Sequence, residues 1–183
     1  MKKNIRKKAC ICLGLFCLCL SGLTSCSLKD SDNQTLEKGV LKVGMDLDIE
    51  PLCYLSEETS KPEGFDVELA QALAEGMDLE LEIVDTSQEN LLKSLDGDLY
   101  DCVISGVGLS EWNEIHYSHT EVYAEAEAVK DQISMELTDT SLAIFTQKGS
   151  SLRDKLDQEL EQLKKDGTLT EISQKYFGED ITG

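Results

Sequence analysis

From Gly64 to Gly106 the chain reads GFDVELAQALAEGMDLELEIVDTSQENLLKSLDGDLYDCVISG, and its apolar positions change period several times. Val67, Ala70, Leu73, Ala74 and Met77 recur at helical spacing, whereas Leu79, Leu81 and Ile83 alternate with Glu80 and Glu82 in strand fashion. A second helix places Leu91, Leu92 and Leu95 on its inner side, with Thr86 or Ser87 as its cap and Gly97 as its stop. Tyr100 to Ser105 then predicts a buried strand. This helix, strand, helix, strand order is a βαβ-type rhythm and indicates an α/β binding lobe rather than a catalytic site.

The flanking patterns extend the lobe in both directions. Val40 to Met45 predicts a first strand, Pro51 and Pro62 bracket a loop, and a glycine-bearing loop runs from Ser105 through Gly108. Ala124 to Lys130 and Leu142 to Thr146 read as two further strands around a polar connection. Leu152, Leu156, Leu160 and Leu163 then keep helical spacing up to a stop at Gly167. Thr168 or Thr170 starts a short last helix carrying Ile172, Tyr176 and Phe177. The chain contains neither an internal repeat nor a low-complexity tract.

The first residues follow a different logic. Lys2, Lys3, Arg6, Lys7 and Lys8 form a positive segment ahead of an apolar core, Ala9 to Leu20, that is short for a membrane span. Leu23-Thr24-Ser25-Cys26 resembles a bacterial lipobox. The resemblance implies a lipoprotein signal peptide over residues 1–25 and a diacylglyceryl group on Cys26, which becomes the first residue after cleavage. More than one acyl chain makes such an anchor stable. Residues 26–39, polar and aperiodic, are then a lipid-anchored tether, and the protein is extracytoplasmic on the outer face of the bacterial cell membrane.

Removing that segment changes the charge. All 36 acidic residues but only 12 of the 17 basic ones follow it, which takes the net charge from −19 to −24. Such a surface repels nucleic acid and favours cationic ligands or partners at long range. Because the acids are spread along the chain, solubility at an exposed cell surface accounts for most of them. Of seven cysteines, Cys10, Cys12, Cys17 and Cys19 lie in the apolar core and Cys26 is the lipidation candidate. Cys53 and Cys102 remain, and whether they pair is left open.

The remaining 158 residues suffice for one ordinary domain. Their motifs, LKVGMD at 41–46, GFDVELAQALA at 64–74, the stretch ending at Gly106, Tyr117-Ser118 and LKKDGTLTEISQKYFG at 163–178, resemble extracellular solute-binding proteins of family 3. These are the substrate-binding lipoproteins of polar amino-acid ABC transporters. The resemblance implies a periplasmic-binding-protein-like type II α/β fold, normally two lobes closing on a ligand. Here Tyr123, where the first lobe ends, is separated by only 17 residues from Ser141, where the returning strand begins. A second lobe needs on the order of a hundred. The expectation is therefore a single lobe with a mostly parallel sheet flanked by helices. Its first part spans 40–123, a short link over 124–140 replaces the second lobe, and 141–183 supply the return strand and last helices.

The same resemblance assigns ligand-binding roles to Asp46, Ser105, Gly106 and Gly108, the last three offering backbone N–H groups and one hydroxyl to an anion. Other family positions differ. Aromatic walls are replaced by Ile49 and Gln88, and the arginine that grips the ligand α-carboxylate aligns with Glu111. Weakened or altered binding of a small polar amino acid follows, with a transporter permease or another membrane protein as partner and self-association left open. The alternative is a non-transport interaction or sensor-docking protein, or a degenerate truncated product. Trp112 packs over the lobe's edge or anchors a partner. Glu111, Glu114, His116, His119 and Glu121 lack metal-ligand spacing, and nothing implies a cofactor, nucleic-acid binding or an enzyme.

Overall fold

β1 (Val40–Met45) turns Leu41, Val43 and Met45 inward, all fully buried, and forms the axis of the lobe. The computed structural model describes residues 35–182, so the signal-peptide, Cys26 and most of the tether expectations lie outside the described residues. β2 (Asp48–Ile49), β3 (Cys53–Leu55) and β4 (Pro62–Glu63) fold into a small antiparallel sheet beyond it. The chain then enters α1 (Phe65–Gly76), whose Phe65, Val67, Leu69, Ala70, Leu73 and Ala74 are buried. Gly64 makes that entry possible. Its φ is 131°, and a β-carbon there would stand 2.2 Å from the Leu52 carbonyl oxygen, so only glycine fits.

β5 (Glu80–Asp85) pairs in parallel with β1 from Val40↔Glu80 to Met45↔Asp85, at the sheet edge where its alternating acids face water. A 3₁₀ turn leads into α2 (Leu91–Asp96), which buries Leu91 and Leu95, and β6 (Cys102–Val103) returns in parallel to the other side of β1. α3 (Glu111–His116) and β7 (Ser118–His119) follow, then β8 (Ala124–Glu125), β9 (Ser141–Leu142) and β10 (Phe145–Thr146). The central sheet has the order β5-β1-β6-β10-β7, with β10 antiparallel to both neighbours. α4 (Leu152–Asp166) and α5 (Thr168–Phe177) close the lobe.

Two apolar clusters lie on opposite faces of the sheet because neighbouring strand residues point opposite ways. Cys102 and Ile104 join α1, α4 and α5 on one face, whereas Val103 and Phe145 join Leu91, Leu95, Tyr100 and Tyr117 on the other. The leucines of α4 are buried at the positions their spacing predicts, and Gly167 ends that helix in the left-handed region. Full burial of each leucine contributes about 1.5–3 kcal/mol. Among the described residues no helix is long and apolar enough to cross a membrane.

Two expected strands are drawn differently. Only Ala124 and Glu125 of the stretch to Lys130 are extended, because burial passes from Ala126 to Val129, a three-residue step that a 3₁₀ turn satisfies and a strand does not. Leu142 to Thr146 is two short strands, since the chain leaves the β8–β9 pair at Ala143 and joins the central sheet at Phe145. Between β8 and β9, residues 133–139 run as a strap. Ile133 is buried and Met135 and Leu137 pack against the core, while Ser134, Glu136 and Thr138 face out. The Ser134 amide fastens it by donating to the Glu50 carbonyl at 2.7 Å.

Candidate ligand-binding site

The strap lies over the loop that follows β6. A cavity of about 320 Å³ separates the two, bounded by Gln88, Leu91 and Leu92 on one side, Gly106 to Gly108 on a second and Met135 to Asp139 on the third. Gly108 permits this closeness, since a β-carbon there would stand 2.4 Å from that of Asp139. Gly106 and Gly108 thus line the cavity as two of the expected ligand residues, whereas Asp46 and Ser105 sit behind it and do not.

Hydrogen bonding shows what those four residues do. One oxygen of Asp46 accepts from the Gln88 amide at 2.7 Å and the other from the Asp48 amide at 3.2 Å. Asp46 therefore supplies the acceptor at the start of the α2 approach that was expected of Thr86 or Ser87, neither of which makes a side-chain cap bond there. The Ser105 hydroxyl, fully buried, accepts from the Asp46 amide at 2.9 Å and lies 3.4 Å from the Cys53 sulfur. The Gly106 amide donates to Asp66 at 2.7 Å. That amide is engaged, so its expected offer to an anion needs correction.

Asp66 is the residue that sequence reasoning missed. It sits on the buried face of α1, fully enclosed, and its second oxygen accepts from the Tyr123 hydroxyl at 3.0 Å. Burial raises its carboxyl to about 7, against the downward pull of Tyr123 and Gly106. A carboxylate beside Phe65 and Val67 in a helix start reads as a capping residue, so the pattern alone gave no sign of burial. Burial also pushes the Cys53 and Cys102 thiols up, the first well above its ordinary range. Both cysteines are free. Neither is expected to react with a water-soluble maleimide in the folded chain, and both are expected to react after unfolding, as site-resolved mass spectrometry would read. Labelling of Cys53 in the native state would show that the face beneath the strap opens.

Glu111 begins α3 on the surface and is absent from the cavity wall, where Ser110 and Asn113 stand instead. The Ser110 hydroxyl accepts from the Asn113 amide, and the Asn113 side chain donates to the Gly108 carbonyl at 2.9 Å. Ile49 is buried in the core rather than walling a cleft. Trp112 is 56% exposed and stacks on His116 with ring centroids 4.0 Å apart. Among the described residues no group of three or more potential ligands is gathered for a metal ion.

Comparison with known proteins places this geometry in context. The model of the bacterial extracellular solute-binding proteins, family 3, matches residues 41–179. Cyclohexadienyl dehydratase of Pseudomonas aeruginosa is 38% identical over 95 residues, which are 50% of this chain and 35% of that protein, so the chain spans only about a third of that relative's length. The L-cystine-binding protein TcyA of Bacillus subtilis is 23% identical over 226 aligned positions, covering 80% of this chain and 84% of the relative. Since this chain has 183 residues, a long run of TcyA faces a gap. The solved arginine-bound form of domain 1 from TmArgBP superposes with a TM-score of 0.60 at 27% identity, covering 68% of this chain and 94% of that one. The L-cystine solute receptor of Neisseria gonorrhoeae, unliganded and open, gives 0.68 at 16% identity over 80% and 96%, a likeness of fold. The fold is the α/β type II periplasmic-binding-protein architecture in the form of a single lobe. A lobe of that architecture and a family match from the first strand to the last helix lead to one conclusion: the chain belongs to the bacterial extracellular solute-binding proteins, family 3.

Proposed function

We propose that the chain is the substrate-binding lipoprotein of an amino-acid ABC transporter, anchored through Cys26 on the outer face of the cell membrane, with ligand binding altered from the family's usual grip. The observation that carries this reading is the cavity of about 320 Å³, which stands at the Gln88 and Gly106–Gly108 positions where the resemblance puts the ligand. Its size is at the lower end for small-molecule sites. The arginine-bound domain 1 from TmArgBP supports ligand capture by one lobe. No catalytic role is proposed, since no nucleophile and base meet in the cavity. Residues 26–39 serve as the tether and 124–140 stand in for the second lobe.

Calorimetric titration of the chain from Ser27 with polar amino acids, arginine and cystine included, tests the reading. Saturable binding is expected, weaker by about a hundredfold than in a lobe that keeps the arginine, because a bidentate charge-assisted pair is lost. A second reading, an interaction protein docking through the exposed Trp112 and Ile115 of α3, draws on the 56% and 62% exposure of those side chains. Absence of saturable binding at millimolar concentration, together with concentration-dependent association, would replace the first reading by the second.

A further inference from the structure

We infer that Gln88 and the main chain of the strap together replace the arginine whose place Glu111 takes, receiving the α-carboxylate of an amino acid through uncharged N–H donors. The inference rests on the reading that this cavity binds amino acids, and it names the grip and the side chain that sets it. Its first support is how the strap meets the cavity. Glu136 and Thr138 turn their side chains out to solvent, yet both residues line the cavity, so it is their main chain that borders it. Among the described residues no main-chain N–H from Met135 to Asp139 makes a hydrogen bond, whereas that of Ser134, one step earlier, is taken by Glu50. The strap therefore brings unspent donors to the cavity.

The second support is Gln88, on another wall of the same space. Its backbone is fixed by the bond from its amide to Asp46, and its side-chain oxygen is buried without a partner. Among the described residues the only other such atom is the Ser151 hydroxyl, so the Gln88 side-chain nitrogen, which makes no hydrogen bond, keeps open surface. It has two N–H groups to give. A carboxylate lying between Gln88 and the strap meets donors from both. An amine of the same shape without that carboxylate would strip water from these N–H groups and return nothing, and sites of this kind discriminate strongly. Nearby donors are already engaged, the Gly106 amide with Asp66 and the Asn113 side chain with the Gly108 carbonyl. No lysine, arginine or histidine lines the cavity, so the grip lacks the attraction of opposite charges that an arginine adds. Asp139, in the lining beside Gly108, disfavours a plain carboxylic acid and suits a zwitterion. The apolar part of the ligand meets Leu91, Leu92, Val107, Met135 and Leu137.

Arginine with agmatine, and cystine with cystamine, form the decisive pairs, because the members of each differ only by α-carboxylates. Titrated into the full chain in non-ionic detergent, each amine is expected to bind about tenfold or more weakly than its amino acid. Gln88→Leu is expected to weaken the amino acids about tenfold, to leave the amines unchanged and to preserve the circular dichroism, which a merely structural role for Gln88 would not do. In proton–nitrogen correlation spectra the strap amides and the Gln88 side-chain amide should shift with arginine and stay in place with agmatine. An amine binding as tightly as its amino acid, a Gln88→Leu variant that binds both members of a pair as the natural chain does or loses both equally, or strap amides that ignore a bound amino acid would overturn the inference and leave the solute-binding reading standing. Failure of arginine and cystine would also overturn it, and failure of every amino acid would overturn both.

Discussion

Lowering the pH from 8 to 5 is expected to stabilise the lobe by roughly 2–3 kcal/mol through Asp66 alone. The carboxyl is fully buried and raised by desolvation to about 7, whereas in the unfolded chain it returns to the ordinary carboxylate value. Between those two values the folded state holds a proton that the unfolded state has released, so stability falls as pH rises. The contribution is complete below the ordinary carboxylate range, is lost progressively up to about 7, and is flat above it. General charge repulsion acts in the same direction, because protonating surface acids relieves a net charge of −19. Asp66→Asn isolates the site. Its amide oxygen accepts from Gly106 and its amino group donates to a rotated Tyr123 hydroxyl, which keeps both bonds and removes the titration. Urea unfolding at successive pH values should show a steep decline for the natural chain and a shallower one for Asp66→Asn. Parallel curves would mean that Asp66 titrates as it does in water.

The same carboxyl explains why the site has its shape. Asp66 joins three segments distant in sequence: α1, the loop at Gly106 and Tyr123 at the threshold of the strap. Phe65 stacks on Tyr123 at a centroid separation of 6.1 Å, so the polar and aromatic contacts fasten the same two points. The Cys53 sulfur and Ser105 hydroxyl extend this interior network to the Asp46 carbonyl. The loop that the resemblance assigned to the ligand is held from behind through the Gly106 amide and the Ser105 hydroxyl.

How much of this the chain disclosed depends on the kind of signal. Helices α1 and α4 were legible because their burial is periodic, with Leu73 and Leu156 as secure examples. β1 was legible for the same reason. The end of β8 was not, because Ala124, Ala126 and Ala128 alternate on paper while only the first two are buried. The strap was missed although its signal is present: Ile133, Met135 and Leu137 alternate with Ser134, Glu136 and Thr138, a period of two that a single edge pairing is too weak to turn into a ladder. Asp66 and the orphaned Gln88 oxygen had no signal at all, since both depend on which segments meet in space. Family resemblance pointed to Gly106 and Gly108, which line the cavity, but it could not say that the Gly106 amide was already engaged.

The largest single consequence of the strap concerns stability and solubility together. Ile133 is 7% exposed, and Met135 and Leu137 are partly buried against the core. Taking full burial of such a side chain as about 1.5–3 kcal/mol and partial burial as about half of that, Ile133→Ser with Met135→Ser and Leu137→Ser should cost roughly 3–6 kcal/mol. For a lobe of this size that corresponds to a fall in Tm of about 6–24 °C, read by scanning calorimetry. The triple variant also bares apolar surface where a second lobe or the strap would otherwise lie, so concentration-dependent association should appear by sedimentation. The outward positions supply the control. Glu136→Ala and Thr138→Ala, both exposed, should each stay within about 0.5 kcal/mol of the natural chain. An unchanged Tm for the inward triple, or equal losses for inward and outward positions, would mean that the strap does not rest on this face. A loss confined to the inward residues would make the link a wall of the lobe, with the cavity beneath it as permanent as the core that supports it.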